Sequence, residues 1–362
     1  MNRTFLVLAF AILLFACSAP VEEGEAPELP QKAKNVILFI GDGVGIPTLN
    51  AASLFGYGKP LSLFVQQMPH SGLSDTSAAN SWVSDSASGM TAIMTGTKTN
   101  NGVVSLGPDT IRREQDGQIL KTLLELAEEK GLATGVVSNS SMADATPAAC
   151  YAHANDRNKT GEIFRQILEP RFGDGVDVVI GPGRDAILGA TAELEIDLAK
   201  ALEDAGYTFV LSESEMLEAA PGTQRLVALY PDNEYDLATS ADSAFEILSR
   251  DPDGFFLMVE SNNHSEDVEA TLSGTVKMDR MIRSLAERVG PDTLVIFAAD
   301  HSYAYRIPGG GPGDEVISLV TVEDTHTAEE VLVAAQGPGS EAVRGLFPNT
   351  KLFSIMKEAY GW

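Results

Sequence analysis

Residues 83–98, VSDSASGMTAIMTGTK, contain a serine in a setting where it could act on an anion. Ser86 follows Asp85 directly, and small residues then lead into an Ala/Met/Thr run that is typical of a helix. At a helix start, unpaired backbone N–H groups and the positive end of the helix dipole favour an anion such as phosphate. Asp and Ser are also common N-caps. This stretch alone therefore leaves both catalysis and simple capping open.

Acidic residues and a histidine follow several apolar runs of the sequence. Asp42, Glu260 and the pair Asp300 and His301 each come just after such a run. In an open parallel sheet, ligands bind beyond the carboxyl ends of the strands, so these side chains are expected to meet there. Crowded carboxylates need a cation, which predicts a metal site. Imidazole mixed with carboxylate suits zinc, whereas oxygen ligands alone suit magnesium.

The chain has five histidines, and they divide into two groups. His264, His301 and His326 lie in polar surroundings near acidic residues, which makes them candidate metal ligands. His70 and His153 belong to no acidic cluster, and we expect them to be structural or solvated.

Apolar runs and helical patterns alternate along the chain. The runs predicted as buried strands are 35–40, 133–138, 176–180, 255–259 and 293–299. The patterns predicted as helices are 119–130, 161–168, 198–205, 240–249 and 274–289. Such alternation predicts an α/β fold, a three-layer sandwich with a mostly parallel sheet and helices on both faces. We assign residues 35–362 to one catalytic domain.

The charge of the chain excludes some partners. Its 362 residues carry a formal net charge of −26. Nucleic-acid binding depends on Lys and Arg that neutralise phosphates, so we expect no nucleic-acid partner and no anionic membrane surface. If a phosphate ester is the substrate, local cations must supply the attraction.

The first residues are typical of an export signal. Arg3 precedes an apolar run, 5–15, which is too short for an ordinary membrane span and leads to Cys17. The ending Leu-Phe-Ala-Cys resembles a bacterial lipobox, which implies cleavage before Cys17, a lipid on that cysteine, and a periplasmic or outer-membrane-anchored lipoprotein. A plain secretory signal, 1–17, is the alternative. Residues 18–34 then form a predicted disordered tether.

Several motifs together resemble those of alkaline phosphatases, in that family's order. They are NVILFIGDGVG (35–45), VSDSASGMTAIMTGTKTNNG (83–102), DATPAACYAHANDRN (144–158), FFLMVE (255–260), FAADHS (297–302) and THTAEEVLVAAQGPG (325–339). The resemblance extends from Asn35 to the C terminus.

The resemblance implies a role for each matching residue at the nucleophile. Ser86 matches the serine that is phosphorylated during turnover and that contacts a zinc ion. Asp42 matches the carboxylate shared between zinc and magnesium, and Asp300 and His301 match the other ligands of that zinc. Arg157 matches the arginine that holds two phosphate oxygens. A serine beside zinc loses its proton near neutral pH and needs no histidine base.

Further ligands follow from the same resemblance. Thr146 and Glu260 match magnesium ligands, and Asp144 matches an outer position near that ion. His326 matches a ligand of a second zinc, which faces the leaving group, and His264 aligns with another. Relatives also supply an aspartate between the glutamate and that histidine. Here the segment Glu260-Ser-Asn-Asn-His264 is too short to hold this aspartate. Four residues lie nearby, but none of them has the spacing of the missing ligand: Asn262, Asn263, Glu266 and Asp267.

Two expectations follow from these departures. The second zinc site should be weakened, while the site that activates Ser86 stays intact. The short segment between His301 and His326 replaces an extra subdomain of relatives, so we expect a reduced crown-type insertion and a monomer or weak homodimer.

The resemblance implies a zinc- and magnesium-dependent phosphatase acting on small phosphate monoesters through a phosphoserine. A related phosphodiesterase or sulfatase is the alternative within enzymes, because similar metal cores serve those reactions. A phosphate-binding protein that lost turnover with the missing aspartate is the alternative from another class.

Overall fold

A computed structural model describes residues 32–232 and 235–362 of the chain. The predicted signal segment, 1–17, and most of the predicted tether, 18–34, lie outside the described residues. Within the described residues the strands are β1 (Asn35–Asp42), β2 (His70–Asp75), β3 (Ala133–Ser138), β4 (Val178–Pro182), β5 (Thr208–Val210), β6 (Leu226–Tyr230), β7 (Phe255–Asn262), β8 (Thr293–Ala298), β9 (Ser302–Arg306), β10 (Thr321–Thr327), β11 (Val331–Gln336) and β12 (Gly345–Pro348).

Helices connect most of these strands. They are α1 (Ile46–Tyr57), α2 (Ser86–Thr95), α3 (Leu123–Glu129), α4 (Ala145–Tyr151), α5 (Thr160–Arg165), α6 (Arg184–Glu193), α7 (Leu198–Asp204), α8 (Glu213–Ala219), α9 (Leu237–Leu248), α10 (Val268–Ala286), α11 (Val316–Leu319) and α12 (Thr350–Tyr360). No helix in the described part of the chain is long and apolar enough to cross a membrane.

Ten of the strands form one sheet in the order β12-β2-β11-β8-β1-β7-β3-β4-β6-β5. All pairings from β8 to β5 are parallel, whereas β11 runs antiparallel to both β2 and β8. Strands β9 and β10 form a separate antiparallel pair. The predicted α/β fold with a mostly parallel sheet is confirmed.

The middle strands are continuously apolar because helices cover both faces of the sheet. On β1, Leu38 and Ile40 pack in one core with residues of α2, α4 and α12. Ile37 and Phe39 pack in a second core with residues of α1, α9 and α10. Neighbouring residues on a strand point to opposite faces, so each needs an apolar partner layer. This is the predicted three-layer arrangement.

Helix boundaries follow capping residues more closely than apolar spacing. The helix predicted at 119–130 begins only at Leu123, because Thr122 and Glu125 form a capping box. The helix predicted at 274–289 begins earlier, at Val268, because the Asp267 carboxylate accepts a hydrogen bond from the backbone N–H of Ala270 at 3.0 Å.

One buried acid away from the site makes stability depend on pH. Glu128 in α3 is 4% exposed, and burial, together with the nearby carboxylates of Asp174 and Asp177, raises its pKa from 4.5 to about 8. The folded protein keeps this proton up to about pH 8, whereas the unfolded chain releases it near pH 4.5. Stability contributed by the neutral group is therefore lost as the pH rises through that window.

We expect Glu128→Gln to raise the free energy of unfolding at pH 9 by about a few kcal/mol, because the amide stays neutral there. The gain should shrink towards pH 5. Urea titrations at both pH values, with metal content held constant, measure it. Glu129→Gln is the matched control, because Glu129 is partly exposed and pairs with Lys121. A Glu128→Gln protein that is destabilised most at pH 9 would contradict this account.

Candidate active site

Three neighbouring strands carry the predicted acids to one edge of the sheet. Asp42 is the last residue of β1, which lies between β7 and β8. Glu260 on β7 is in register with Ile40 of β1. Asp300 and His301 follow β8 after one further residue, Ala299. Residues far apart in sequence therefore meet where parallel strands end, as the spacing predicted.

Asp42, Asp300 and His301 form a buried cluster whose ligand atoms all lie within 4.8 Å of one another. The His301 Nε2 atom is 3.2 Å from the Asp42 Oδ1 atom and 3.4 Å from the Asp300 Oδ2 atom. The His301 Nδ1 atom lies 3.2 Å from the Ser302 carbonyl oxygen. If Nδ1 donates its proton there, the Nε2 lone pair faces two carboxylates. A nitrogen lone pair and carboxylate oxygens that face one another in this way are all hydrogen-bond acceptors, so a cation between them would stabilise the arrangement.

Burial and neighbouring charge shift the pKa values of this cluster. Burial lowers the pKa of His301, but Asp300 and Asp42 raise it more, to about 9. Burial and the Asp42 charge raise the pKa of Asp300 to about 7. Burial also raises the pKa of Asp42, yet His301 and then His264 bring it well below its usual range. Protons therefore compete with a metal ion for this site.

Ser86 is the first residue of α2, and its hydroxyl faces the cluster. The Ser86 Oγ atom is 3.2 Å from the His301 Nε2 atom and 3.3 Å from the Asp42 Oδ2 atom. Asp85 is the N-cap, because its carboxylate accepts a hydrogen bond from the Ser88 N–H at 3.0 Å. Asp85 therefore takes the capping role, and the Ser86 hydroxyl contacts the Asp/His cluster instead.

A glycine lets α2 approach the cluster closely. A Cβ atom at Gly89 would lie 2.5 Å from the Asp300 carbonyl oxygen, which no side chain can accommodate without a shift of the backbone. A glycine at position 89 therefore lets α2 lie against the backbone of Asp300.

Glu260 and Thr146 hold buried oxygen atoms of the kind that magnesium binds. Glu260 is fully buried, and one of its oxygens accepts a hydrogen bond from the Ser138 hydroxyl. Its Oε1 atom and the Thr146 Oγ1 atom are buried and have no hydrogen-bond partner among the described residues. Burial and then Asp42 raise the pKa of Glu260 well above its usual range. Helix α4, which carries Thr146, packs against β7.

Arg157 is held by two helix-capping carboxylates. Its Nη1 atom is 3.1 Å from the Asp85 Oδ2 atom, and its Nη2 atom is 2.9 Å from the Asp144 Oδ1 atom. Asp85 caps α2, and Asp144 caps α4. Burial raises the pKa of Asp85, but Arg157 and backbone N–H groups lower it below its usual value. The Asp144 carboxylate therefore forms an ion pair with Arg157, and its outer position near magnesium stays a prediction.

Comparison with known proteins identifies the family. The alkaline phosphatase family profile matches residues 33–322. The chain belongs to the alkaline phosphatase family. Streptomycin-6-phosphate phosphatase of Streptomyces griseus is 30% identical to this chain. The alignment covers 99% of this chain and 97% of that protein. Alkaline phosphatase of Escherichia coli (strain K12) is 28% identical, with 91% of this chain and 86% of that protein covered.

Solved alkaline phosphatases share the fold. The enzyme from the Antarctic bacterium TAB5 is 26% identical and superposes with a TM-score of 0.77. The match covers 92% of this chain and 99% of that one. A variant of that enzyme with Mg bound matches at a TM-score of 0.74 with 27% identity, over 92% of this chain and 99% of that one. As a member of this family, the protein is a phosphatase, and its Asp/His cluster is suited to a metal cofactor.

The other two histidines predicted to bind zinc, His264 and His326, lie beside the cluster. The His264 Nδ1 atom is 3.5 Å from the Asp42 Oδ1 atom. The His326 ring stacks on the His301 ring with centroids 3.7 Å apart, and it lies 5.7 Å from the His264 ring. The His326 Nδ1 atom is 3.0 Å from the Ser84 carbonyl oxygen, which leaves Nε2 available to a ligand. Burial and then His301 lower the pKa of His326 to about 4.

Other side chains near His264 are used elsewhere. Asn262 donates to the Ser140 hydroxyl at 3.0 Å, Asn263 donates to the Ser261 hydroxyl at 2.6 Å, and Asp267 caps α10. The structure adds Tyr303, which the sequence analysis did not single out and whose ring centroid is 4.9 Å from that of His264.

The remaining histidines lie outside this group. His153 is buried, and its Nε2 atom is 3.1 Å from the Leu120 carbonyl oxygen, which agrees with the structural role expected for it. Burial lowers the pKa of His153 to about 4. His70 is the first residue of β2.

Proposed function

We propose that this phosphatase hydrolyses phosphate monoesters through a phosphoserine at Ser86. The position of the Ser86 hydroxyl between His301 and Asp42 carries this proposal. The Ser86 Oγ atom forms a bond to phosphorus while the bond from phosphorus to the ester oxygen breaks. The leaving oxygen takes up a proton and departs as an alcohol. Water then attacks phosphorus, which releases inorganic phosphate and restores the Ser86 hydroxyl.

The donor sets support two kinds of metal ion. We assign zinc to Asp42, Ser86, Asp300 and His301, magnesium to Asp42, Thr146 and Glu260, and a second zinc to His264 and His326. Several buried carboxylate oxygens and an imidazole nitrogen have no hydrogen-bond partner among the described residues, for example the Asp300 Oδ2 atom, and such atoms can bind these ions. When bound, the ions lower the pKa of the serine hydroxyl and of water, and they neutralise charge on the phosphate.

Arg157 favours a monoester over the alternatives. Asp85 and Asp144 fix its guanidinium, which can offer parallel N–H groups to two phosphate oxygens. A phosphate monoester is a dianion at neutral pH, whereas a phosphodiester and a sulfate monoester carry one negative charge. A site that combines cations with a fixed arginine stabilises the dianion more.

A panel of aryl esters tests the substrate class. We expect an aryl phosphate to be hydrolysed with a kcat/KM at least about 100-fold above that of the matching diaryl phosphate and aryl sulfate, both with zinc and magnesium added. The chelated protein should be inactive towards all three. Streptomycin 6-phosphate belongs in the panel, because a relative is named for it. No hydrolysis of any ester in the presence of both metals would favour the phosphate-binding alternative.

We also propose that the protein is exported and held at a bacterial membrane only by a lipid on Cys17. The N-terminal sequence supports this, although those residues lie outside the described part. Mass spectrometry of the mature N terminus would show an acylated Cys17, and an unprocessed Met1 would contradict it.

We further propose that the protein is a monomer or weak homodimer, because the segment between His301 and His326 is short. Light scattering measures this directly, and a stable dimer at nanomolar concentration would contradict the proposal.

A further inference from the structure

A cavity of about 740 Å³ lies between the start of α9 and helix α10. None of the described residues that line it belongs to the catalytic group of Ser86, Arg157 and His301. Its wall includes Lys277 and Arg280, two cations in a chain that has 51 acidic residues and 25 basic ones. We propose that this cavity, the α9–α10 groove, binds a small organic anion that carries an apolar body.

One part of the groove lies at the carboxyl edge of the sheet. Asn139, which follows β3, and Ser261, on β7, line it there. The Asn139 Oδ1 atom accepts a hydrogen bond from the Asn262 N–H at 2.5 Å, and the Tyr235 hydroxyl donates to the Asn139 carbonyl oxygen at 2.6 Å. These bonds fix the wall before any ligand binds. The carboxyl ends of parallel strands are where α/β sheets commonly bind ligands.

Lys277 and Arg280 line the groove without compensating partners. Neither side chain forms an ion pair or a hydrogen bond with another described residue. They are three residues apart on one helix, a spacing at which like charges repel each other. The acid between them, Asp279, is buried, and its carboxylate accepts hydrogen bonds from the backbone N–H groups of Phe64 and Val65. An anion in the groove would therefore relieve the repulsion between the two cations.

One acidic residue, Asp236, is present among the described residues of the lining. Asp236 is the N-cap of α9, and its Oδ1 atom accepts a hydrogen bond from the Thr239 N–H at 2.8 Å. Its carboxylate is thus bound to the backbone of α9 rather than to Lys277 or Arg280. The charge that the groove presents to a ligand is positive.

Apolar side chains form another part of the lining. They are Leu237 and Ala238 from α9 and Met278 and Met281 from α10. Methionine adapts to irregular ligand shapes. Small-molecule sites typically have volumes of about 300–1,000 Å³ and combine such apolar walls with a few polar groups that fix the orientation of the ligand. The lining therefore suits an anionic group joined to an apolar ring or chain, and it suits a bare inorganic ion less.

Naphthalene sulfonate is the probe for this site, because it joins an apolar body to an anion and is not a phosphate ester. Isothermal titration calorimetry on the full-length protein loaded with zinc and magnesium measures its binding. We expect one site in the wild type and an affinity at least about 10-fold lower in Lys277→Gln/Arg280→Gln, because charge-assisted hydrogen bonds are lost. Ser273→Trp keeps both cations but adds a bulky side chain to the lining, and it should block binding.

Matched controls locate the probe and separate its two halves. Arg344→Gln/Lys351→Gln removes two charges from a different surface cavity, and Arg157→Gln removes the arginine of the phosphate site. Both variants should bind the sulfonate as the wild type does. Neutral naphthalene sulfonamide and inorganic sulfate should each bind the wild type at least about 10-fold more weakly than the sulfonate. Thermal unfolding of each variant checks that it is folded.

Several results would overturn the proposal. These are a wild type that does not bind the sulfonate, unchanged binding in Lys277→Gln/Arg280→Gln or in Ser273→Trp, and loss of binding in either control variant. Equally tight binding of the sulfonamide or of sulfate would also overturn it. The titration needs no turnover, so its outcome is independent of the proposed phosphatase mechanism.

Discussion

Replacing Ser86 with alanine should lower kcat/KM for an aryl phosphate at least about 1000-fold, while the bound metals remain. The hydroxyl is the nucleophile in our account, and it lies 3.2 Å from the His301 Nε2 atom and 3.3 Å from the Asp42 Oδ2 atom. The three buried ligands Asp42, Asp300 and His301 are unchanged by this substitution. Steady-state kinetics and elemental analysis on the same preparation measure both effects.

Ser88→Ala is the matched control for this variant. Ser88 lies in the same helix, and its hydroxyl contacts the Asp85 carbonyl and Asn101 rather than the cluster. Its activity should stay within a few-fold of the wild type. A Ser86→Ala protein that keeps both its metals and its activity would remove Ser86 from the mechanism.

Replacing Asp42 with asparagine should abolish both activity and tight metal binding. Asp42 is 2% exposed and is shared by the whole site, since its oxygens face Ser86, His301 and His264. A neutral amide leaves the buried ions with less compensating charge and weakens the ligand set. We expect kcat/KM to fall at least about 1000-fold and the metal content to fall by at least one ion per chain.

The pKa pattern gives this variant a second signature. Asp42 contributes to the raised pKa of His301, so the metal-free Asp42→Asn protein should show a lower His301 pKa, which NMR titration can follow. Asp242→Asn serves as the control, because Asp242 forms a surface ion pair with Arg288 at 2.7 Å. An Asp42→Asn protein that retains every metal ion would contradict the shared role.

The sequence predicted the centre of the fold well because burial there is uniform. Strands β1, β7 and β8 are covered on both faces, so they read as continuous apolar runs. The acids that follow them had to meet at one edge, and Asp42, Asp300 and His301 do so. Strand β3 was predicted at its observed bounds for the same reason.

The antiparallel side of the sheet was missed. Strand β12 is short and largely exposed, and Leu346 on it is 66% exposed, so it lacks an apolar run. Strand β2, HSGLSD, alternates weakly and contains a glycine. Both depend on pairing with distant strands rather than on their own composition.

Contacts between side chains that are distant in sequence could not be predicted from the motifs. The motifs indicated Arg157, but only the fold shows that Asp85 and Asp144 hold the guanidinium from two helix starts. The contact between the Tyr303 and His264 rings was not predicted either, because it depends on how β9 packs against the segment after β7.

Trapping the covalent intermediate tests the central claim most directly. The protein is mixed with an aryl phosphate, quenched with acid during turnover, digested and analysed by mass spectrometry. Our account predicts phosphate on Ser86 in the wild type and none on the corresponding peptide of Ser86→Ala. Rapid hydrolysis with no phosphate on Ser86, or with phosphate on another residue, would contradict it.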